Sequence, residues 1–130
     1  MGLDKSYHIR YASNGKDTWR VEEYLDAQGR NVFRSWLESL KDPKTSQRID
    51  NHIGRLRRGI FSNSQYIEGS PGLYELVMNF GPGYRAYYAR TGKRILLLLC
   101  ASRKDRQSRS IEAANHYFED FRTRSGGGER

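Results

Sequence analysis

A chain of 130 residues can bury one modest core and is too short for two. Its mean hydropathy is −0.88, its hydrophobic content is 36%, and 23 Lys and Arg against 15 Asp and Glu leave a net charge of +8. A membrane span needs roughly 18 consecutive apolar residues, and the longest apolar run here, ILLLLCA at 95–101, has only the length of a strand.

Residues 1–17 read as an N-terminal extension without the apolar stretch of a signal peptide. TWRVEEYLD (18–26) predicts a first strand, with Trp19, Val21 and Tyr24 in imperfect alternation, ended by AQG. Asn31 is placed to cap a helix over 32–40, whose Val32, Phe33, Trp36, Leu37 and Leu40 form one apolar stripe. Asp42-Pro43 starts a second helix, a capping residue followed by a proline at the first helical position. That helix carries Ile49, Ile53 and Leu56 on one side, Arg48, Arg55, Arg57 and Arg58 on the others, and ends near Gly59. Residues 60–71 read as a connecting loop.

Three further strands are predicted over 73–80, 84–90 and 94–101, joined by GPG and TGK turns short enough to demand antiparallel hairpins. ILLLLCA is apolar at consecutive positions, as in a strand inside a sheet with both faces covered. A basic stretch, SRKDRQSR (102–109), leads into a last helix to about residue 122, with Ile111, Ala114, Phe118 and Phe121 along one stripe. Residues 123–130 read as a flexible tail. The order β-α-α-β-β-β-α over 18–122 predicts an α+β domain, a mostly antiparallel four-stranded sheet with its helices packed on one face.

Strand parity sorts the GPG hairpin into two faces. With a loop of Gly81, Pro82 and Gly83, Phe80 opposes Tyr84 and Asn79 opposes Arg85. Leu76, Met78, Phe80, Tyr84, Ala86 and Tyr88 then share one apolar face. Glu75, Val77, Asn79, Arg85 and Tyr87 share the other, which is expected to be open to solvent. The net charge points to a polyanionic partner, nucleic acid above all, or else to an acidic partner protein. Arg85 would be a solvated strand charge, an ion-pair partner of Glu75, or part of a phosphate site with Arg103, Lys104, Arg106 and Arg109, Tyr87 stacking on a base. Cys100, the single cysteine, lies in the most apolar run and reads as a buried thiol, so a reducing cytoplasm is the expected compartment. His8, His52 and His116 lack ligand spacing; no metal or cofactor is expected.

YEL (74–76), FGPGYR (80–85), YY (87–88), LLLC (97–100), Lys104 and Gln107-x-x-x-Ile111 follow one another as in the RelE/ParE toxin superfamily. The chain resembles its HigB-like addiction module killer group in particular, and VEEYLDAQGRNVFRSWLESLKDP (21–43) resembles that group's opening. The resemblance implies the toxin of a type II toxin–antitoxin system, a ribosome-dependent mRNA endonuclease neutralised by a cognate antitoxin, commonly a helix-turn-helix protein. Its chemistry would be attack of a ribose 2′-hydroxyl on the adjacent phosphate, with Arg85 bracing the phosphate and Lys104 holding phosphate or assisting proton transfer. Tyr87 would be an acid/base or stacking residue, and Asn79, Arg103, Arg106, Gln107 and Arg109 would contact RNA.

The chain departs from that pattern in four places. Val77 stands where members usually carry arginine, and Asn79 where they often carry aspartate. ASRK (101–104) replaces GGDK, and Ser110 replaces an aspartate. These departures keep in view a catalytically weakened toxin-fold protein that binds an antitoxin or RNA; a ParE-like gyrase inhibitor would share the fold, but FGPGYR with Lys104 and Gln107 argues for the nuclease against it.

Overall fold

The computed structural model describes residues 6–11 and 18–126. The elements are β1 (Tyr7–Tyr11), β2 (Arg20–Tyr24), α1 (Val32–Ser39), α2 (Pro43–Arg57), β3 (Ser64–Tyr66), β4 (Leu73–Met78), β5 (Tyr84–Gly92), β6 (Ile95–Arg103) and α3 (Gln107–Arg124). A single turn of 3-10 helix, Lys104–Arg106, joins β6 to α3. Part of the predicted extension forms β1, while 12–17 and the tail residues 127–130 lie outside the described residues.

Among the described residues the strands form one six-stranded sheet in the order β1-β2-β6-β5-β4-β3. Neighbours are antiparallel except β2 and β6, which run parallel. The expected four-stranded, mostly antiparallel sheet with helices on one face is therefore corrected in two respects. Two strands are added, one at each edge, and the helices cover both faces. Phe33, Leu37, Ile49, Ile53 and Leu56 of α1 and α2 pack on Leu76, Met78, Ala86, Tyr88, Leu96 and Leu98. Ala114, Phe118 and Phe121 of α3 pack on the opposite face, against Leu73, Tyr87, Ala89, Leu97 and Leu99. The physical reason lies in β6, which is buried from Leu96 to Ser102 and needs cover on both sides. Each large apolar side chain so enclosed contributes about 1.5–3 kcal/mol of burial.

The helix starts form as their sequences dictate. Asn31 accepts the backbone N–H of Arg34 at 2.9 Å, and Asp42 accepts that of Lys44 at 3.1 Å with Pro43 at the first helical position. A buried carboxylate anchors this helical layer. Glu23 of β2 accepts from Asn31 and from Arg34, whose guanidinium also reaches Asp50 of α2. Burial works against the Arg34 charge, but its bonds and attraction to Glu23, then Asp50, outweigh it and raise its pKa. One arginine thus ties β2, α1 and α2 together. No helix among the described residues is long and apolar enough to cross a membrane.

The hairpin register differs from expectation by two residues. Met78 opposes Tyr84 and Val77 opposes Arg85, so the connection is five residues, 79–83. A shift of two leaves each side chain on its expected face. Tyr84, Ala86 and Tyr88 point to α1 and α2, with Phe80 packed beside them. Arg85 and Tyr87 point to the other side, and that side is covered by α3 rather than open.

Candidate functional site

Arg85 is the second residue of β5, between Val77 of β4 and Ser102 of β6. It is 8% exposed, which corrects the expectation of a solvent-facing charge. Its NH1 donates to the Tyr84 carbonyl at 3.1 Å, and its Nε forms the ion pair expected with Glu75, 3.8 Å from Oε1, too far for a hydrogen bond. Among the described residues that buried Nε has no hydrogen-bond partner. Arg85 is thus a buried cation with an unmatched donor, an arrangement that costs about 1–3 kcal/mol until an acceptor arrives.

Glu75 is the organising carboxylate and is 2% exposed. Its Oε1 accepts from Gln65 Nε2 at 2.9 Å; its Oε2 accepts from the Tyr87 hydroxyl at 3.1 Å and from Gln107 Nε2 at 2.6 Å. Three elements, β3, β5 and α3, therefore converge on one side chain of β4. Tyr87 has no exposed surface. Burial first, then the adjoining Glu75 carboxylate, raises its pKa well above the ordinary tyrosine range. A stacking residue must present a ring face and a proton donor must be accessible, so Tyr87 acts here as a brace for Glu75. Gln107, expected on RNA, is committed to the same carboxylate. Cys100, opposite Tyr87, is the expected buried thiol, pushed up to about 12 by burial and hence protonated near neutral pH.

The cations lie where β6 runs out. The Lys104 backbone N–H donates to the Gly83 carbonyl at 2.9 Å. Gly83 has φ +85, which strains any other residue, and a Cβ there would crowd the Lys104 Cβ at 3.3 Å, so the close approach of turn and lysine stem favours glycine. Lys104, Arg106, Gln107 and Arg109 line a depression of about 510 Å³ at the start of α3, together with Asp105 and Ser108. No side chain caps this helix end, whose leading N–H groups add positive potential to the three cations. Arg103 is more than half exposed and faces Asp105 at 3.8 Å. Asn79 is exposed in the β4–β5 connection.

The structure thus gathers Arg85, Arg103, Lys104, Arg106 and Arg109 at one end of the β5–β6 pair. It places Tyr87 and Gln107 behind them as support and leaves Asn79 on the turn. The residues at which the sequence departs from the toxin pattern it resembles lie here as well. Val77 and Ser102 flank Arg85 directly, and Ser110 donates to Ser102 Oγ at 2.6 Å. Sequence parity put Glu75 on the correct face, but its role as a shared acceptor depends on Gln65 and Gln107, distant in the chain.

A further group flanks the turn on the α2 side. The Arg48 guanidinium lies 4.3 Å from the Phe80 ring centroid, and the His52 ring stacks on Phe80 at 5.7 Å and 10°. Burial, then Arg55 and Arg48, lowers the His52 pKa in the folded chain. The unfolded chain therefore binds that proton more readily, and stability falls as pH drops through about 6.5 toward the lower folded value. The expected outcome is a melting temperature that falls between pH 7.5 and 5.5 relative to that of His52→Phe, measured by thermal denaturation of both proteins.

No family model matches the chain. An uncharacterized protein of Haemophilus influenzae is 33% identical over 83 residues, a stretch that covers 64% of this chain and 82% of that protein. The chain belongs to that protein's family. The match brings no activity with it.

Proposed function

We propose that this protein is the toxin of a type II toxin–antitoxin pair. It acts in the cytoplasm as a ribosome-dependent mRNA endonuclease and is held inactive by a cognate antitoxin, a helix-turn-helix protein. The observation that carries this reading is Arg85, whose Nε has no hydrogen-bond partner, on the strand pair whose end leads into the cationic depression of Lys104, Arg106 and Arg109. A phosphate diester satisfies both features, giving acceptors to a buried donor and charge to the rim. The resemblance of residues 18–122 to RelE/ParE toxins and the net charge of +8 support the same reading.

In the proposed reaction the ribose 2′-oxygen bonds to phosphorus as the bond from phosphorus to the 5′-oxygen breaks. The proton of the 2′-hydroxyl passes to water, the products are a 2′,3′-cyclic phosphate and a free 5′-hydroxyl, and the departing 5′-oxygen takes its proton from Lys104 or from water. Arg85 offsets the charge that develops on the phosphoryl oxygens, and Lys104 holds the phosphate from the rim or supplies the proton. Tyr87 sets the position of Glu75 and through it that of Arg85.

The residues around Arg85 favour a second reading, a toxin-fold protein that binds RNA or antitoxin with weakened cleavage. Val77 places a hydrocarbon beside Arg85, where the family pattern supplies a second cation. Both readings require RNA to meet the rim. The triple variant Lys104→Ala, Arg106→Ala, Arg109→Ala is expected to bind single-stranded RNA more weakly. The slope of log Kobs against log salt should fall in magnitude by about 2, at roughly 0.7 per cation. Fluorescence anisotropy from 50 to 300 mM salt measures this, and an unchanged slope would remove the rim from the binding site.

A further inference from the structure

The face of the sheet under α1 and α2 carries a second cleft, toward the opposite end of β5. Arg90 follows Arg85 by five residues, about 16 Å of strand, and its odd spacing from Arg85 puts it on the opposite face. The cleft encloses about 340 Å³, and its walls include Trp19, Phe61, Tyr66, Tyr74, Tyr88 and Arg90. That volume falls in the range of small-ligand sites.

The rings fix one another in place. Trp19 meets Phe61 edge-on at 5.2 Å and 87°, Tyr74 stacks on Tyr88 at 5.5 Å and 16°, and Tyr66 meets Tyr74 at 5.6 Å. Among the described residues the exposed large hydrophobic side chains are Tyr66, at 46%, and Ile60, at 36%. Tyr66, the more exposed of the two, is a wall of this cleft.

Charge selects among the ligands that aromatic walls accept. Arg90 is the one charged residue of the lining, which contains no carboxylate. Its Nε donates to the Gly92 carbonyl at 3.3 Å, and its guanidinium carbon lies 5.3 Å from the Trp19 ring centroid. An organic cation, the usual guest of an aromatic cage, would meet like charge here. A plain hydrocarbon would make no use of the guanidinium. A planar ring that carries an anion uses both features.

We propose that this cleft binds a nucleotide, its base against the tyrosine rings and its phosphate at Arg90. The proposal goes beyond RNA cleavage and does not depend on it. The same chemistry is offered by a free nucleotide and by one residue of single-stranded RNA.

Isothermal titration of the full chain with each of the four ribonucleoside 5′-monophosphates, and with a mixed-sequence hexaribonucleotide, tests this. Saturable binding of at least one monophosphate is expected, weakened about tenfold or more by Tyr66→Ala and by Arg90→Ala, the scale of one lost stacking or charge contact. The rim variant of Lys104, Arg106 and Arg109 should keep monophosphate binding. Tyr66 and Arg90 are both exposed, and an unchanged melting temperature separates lost binding from lost fold. If only the hexanucleotide saturates and the two cleft variants weaken it, the source is RNA. Absence of binding by every probe at about 5 mM, far weaker than a stacked, charge-paired base allows, or binding unchanged in both cleft variants, would overturn the proposal.

Discussion

Arg85→Ala is expected to lower mRNA cleavage by about 100- to 1,000-fold, the usual effect of deleting one preorganised donor at a developing anion. Antitoxin binding should survive and the fold should persist with a lowered melting temperature, because the buried Glu75 carboxylate loses its paired cation. The substitution removes a guanidinium whose Nε is already unmatched, so little native hydrogen bonding is lost with it. Glu75 keeps its bonds from Gln65, Tyr87 and Gln107. Arg85→Lys keeps the charge but loses the planar fork, and an intermediate rate is expected. Cleavage of a reporter mRNA in a translation extract, alongside co-purification with the antitoxin, measures both halves of the prediction. Full activity of Arg85→Ala would place the reaction centre elsewhere.

Glu75→Ala is expected to cost about 3 kcal/mol of stability, from the loss of several bonds to a buried charge and the stranding of Arg85. For a domain of this size that is roughly 10 °C in melting temperature. The donors left behind come from three elements, so β3 and the start of α3 should loosen together and lose amide-exchange protection before the rest of the sheet. Glu75→Gln keeps the shape and one acceptor, and should cost less than half as much. Thermal melts of the two variants check the order. Equal melting temperatures for wild type and Glu75→Ala would contradict a stabilising role for the carboxylate.

The elements with a strong period were legible in the sequence, and the edges were not. Asn31, Asp42-Pro43 and the stripe Ile49, Ile53, Leu56 predict α1 and α2 close to their observed bounds. β1 and β3 escaped because edge strands carry weak patterns: YHIRY is largely polar and SQY spans three residues. The placement of α3 was recoverable. An apolar run through Leu96–Ala101 requires two covered faces, and the stripe Ala114, Phe118, Phe121 is the cover for the second. With that stripe on the same side as α1 and α2, Arg85 falls on an open face; on the opposite side, it falls under α3.

For the site, parity gave the correct face for Arg85, Glu75 and Tyr87 despite the wrong register, because a two-residue shift preserves the pleat. It could not give burial. Tyr87 reads as a stacking or acid/base residue because it is an aromatic on the face of Arg85, and Gln107 as an RNA contact because it matches the resembled toxin motif. Their engagement with Glu75 depends on how α3 lands on the sheet, a tertiary fact with no local signature. The aromatic cleft was equally hidden, since Trp19, Phe61, Tyr66, Tyr74 and Arg90 come from four separate stretches.

The most direct test of the central claim is toe-printing of a defined mRNA incubated with the protein, with and without translating ribosomes. The account predicts new 5′ ends within the translated frame only when ribosomes are present, absent with Arg85→Ala and restored in part by Arg85→Lys. Intact mRNA under both conditions, with inhibition of DNA gyrase by the same preparation, would contradict it.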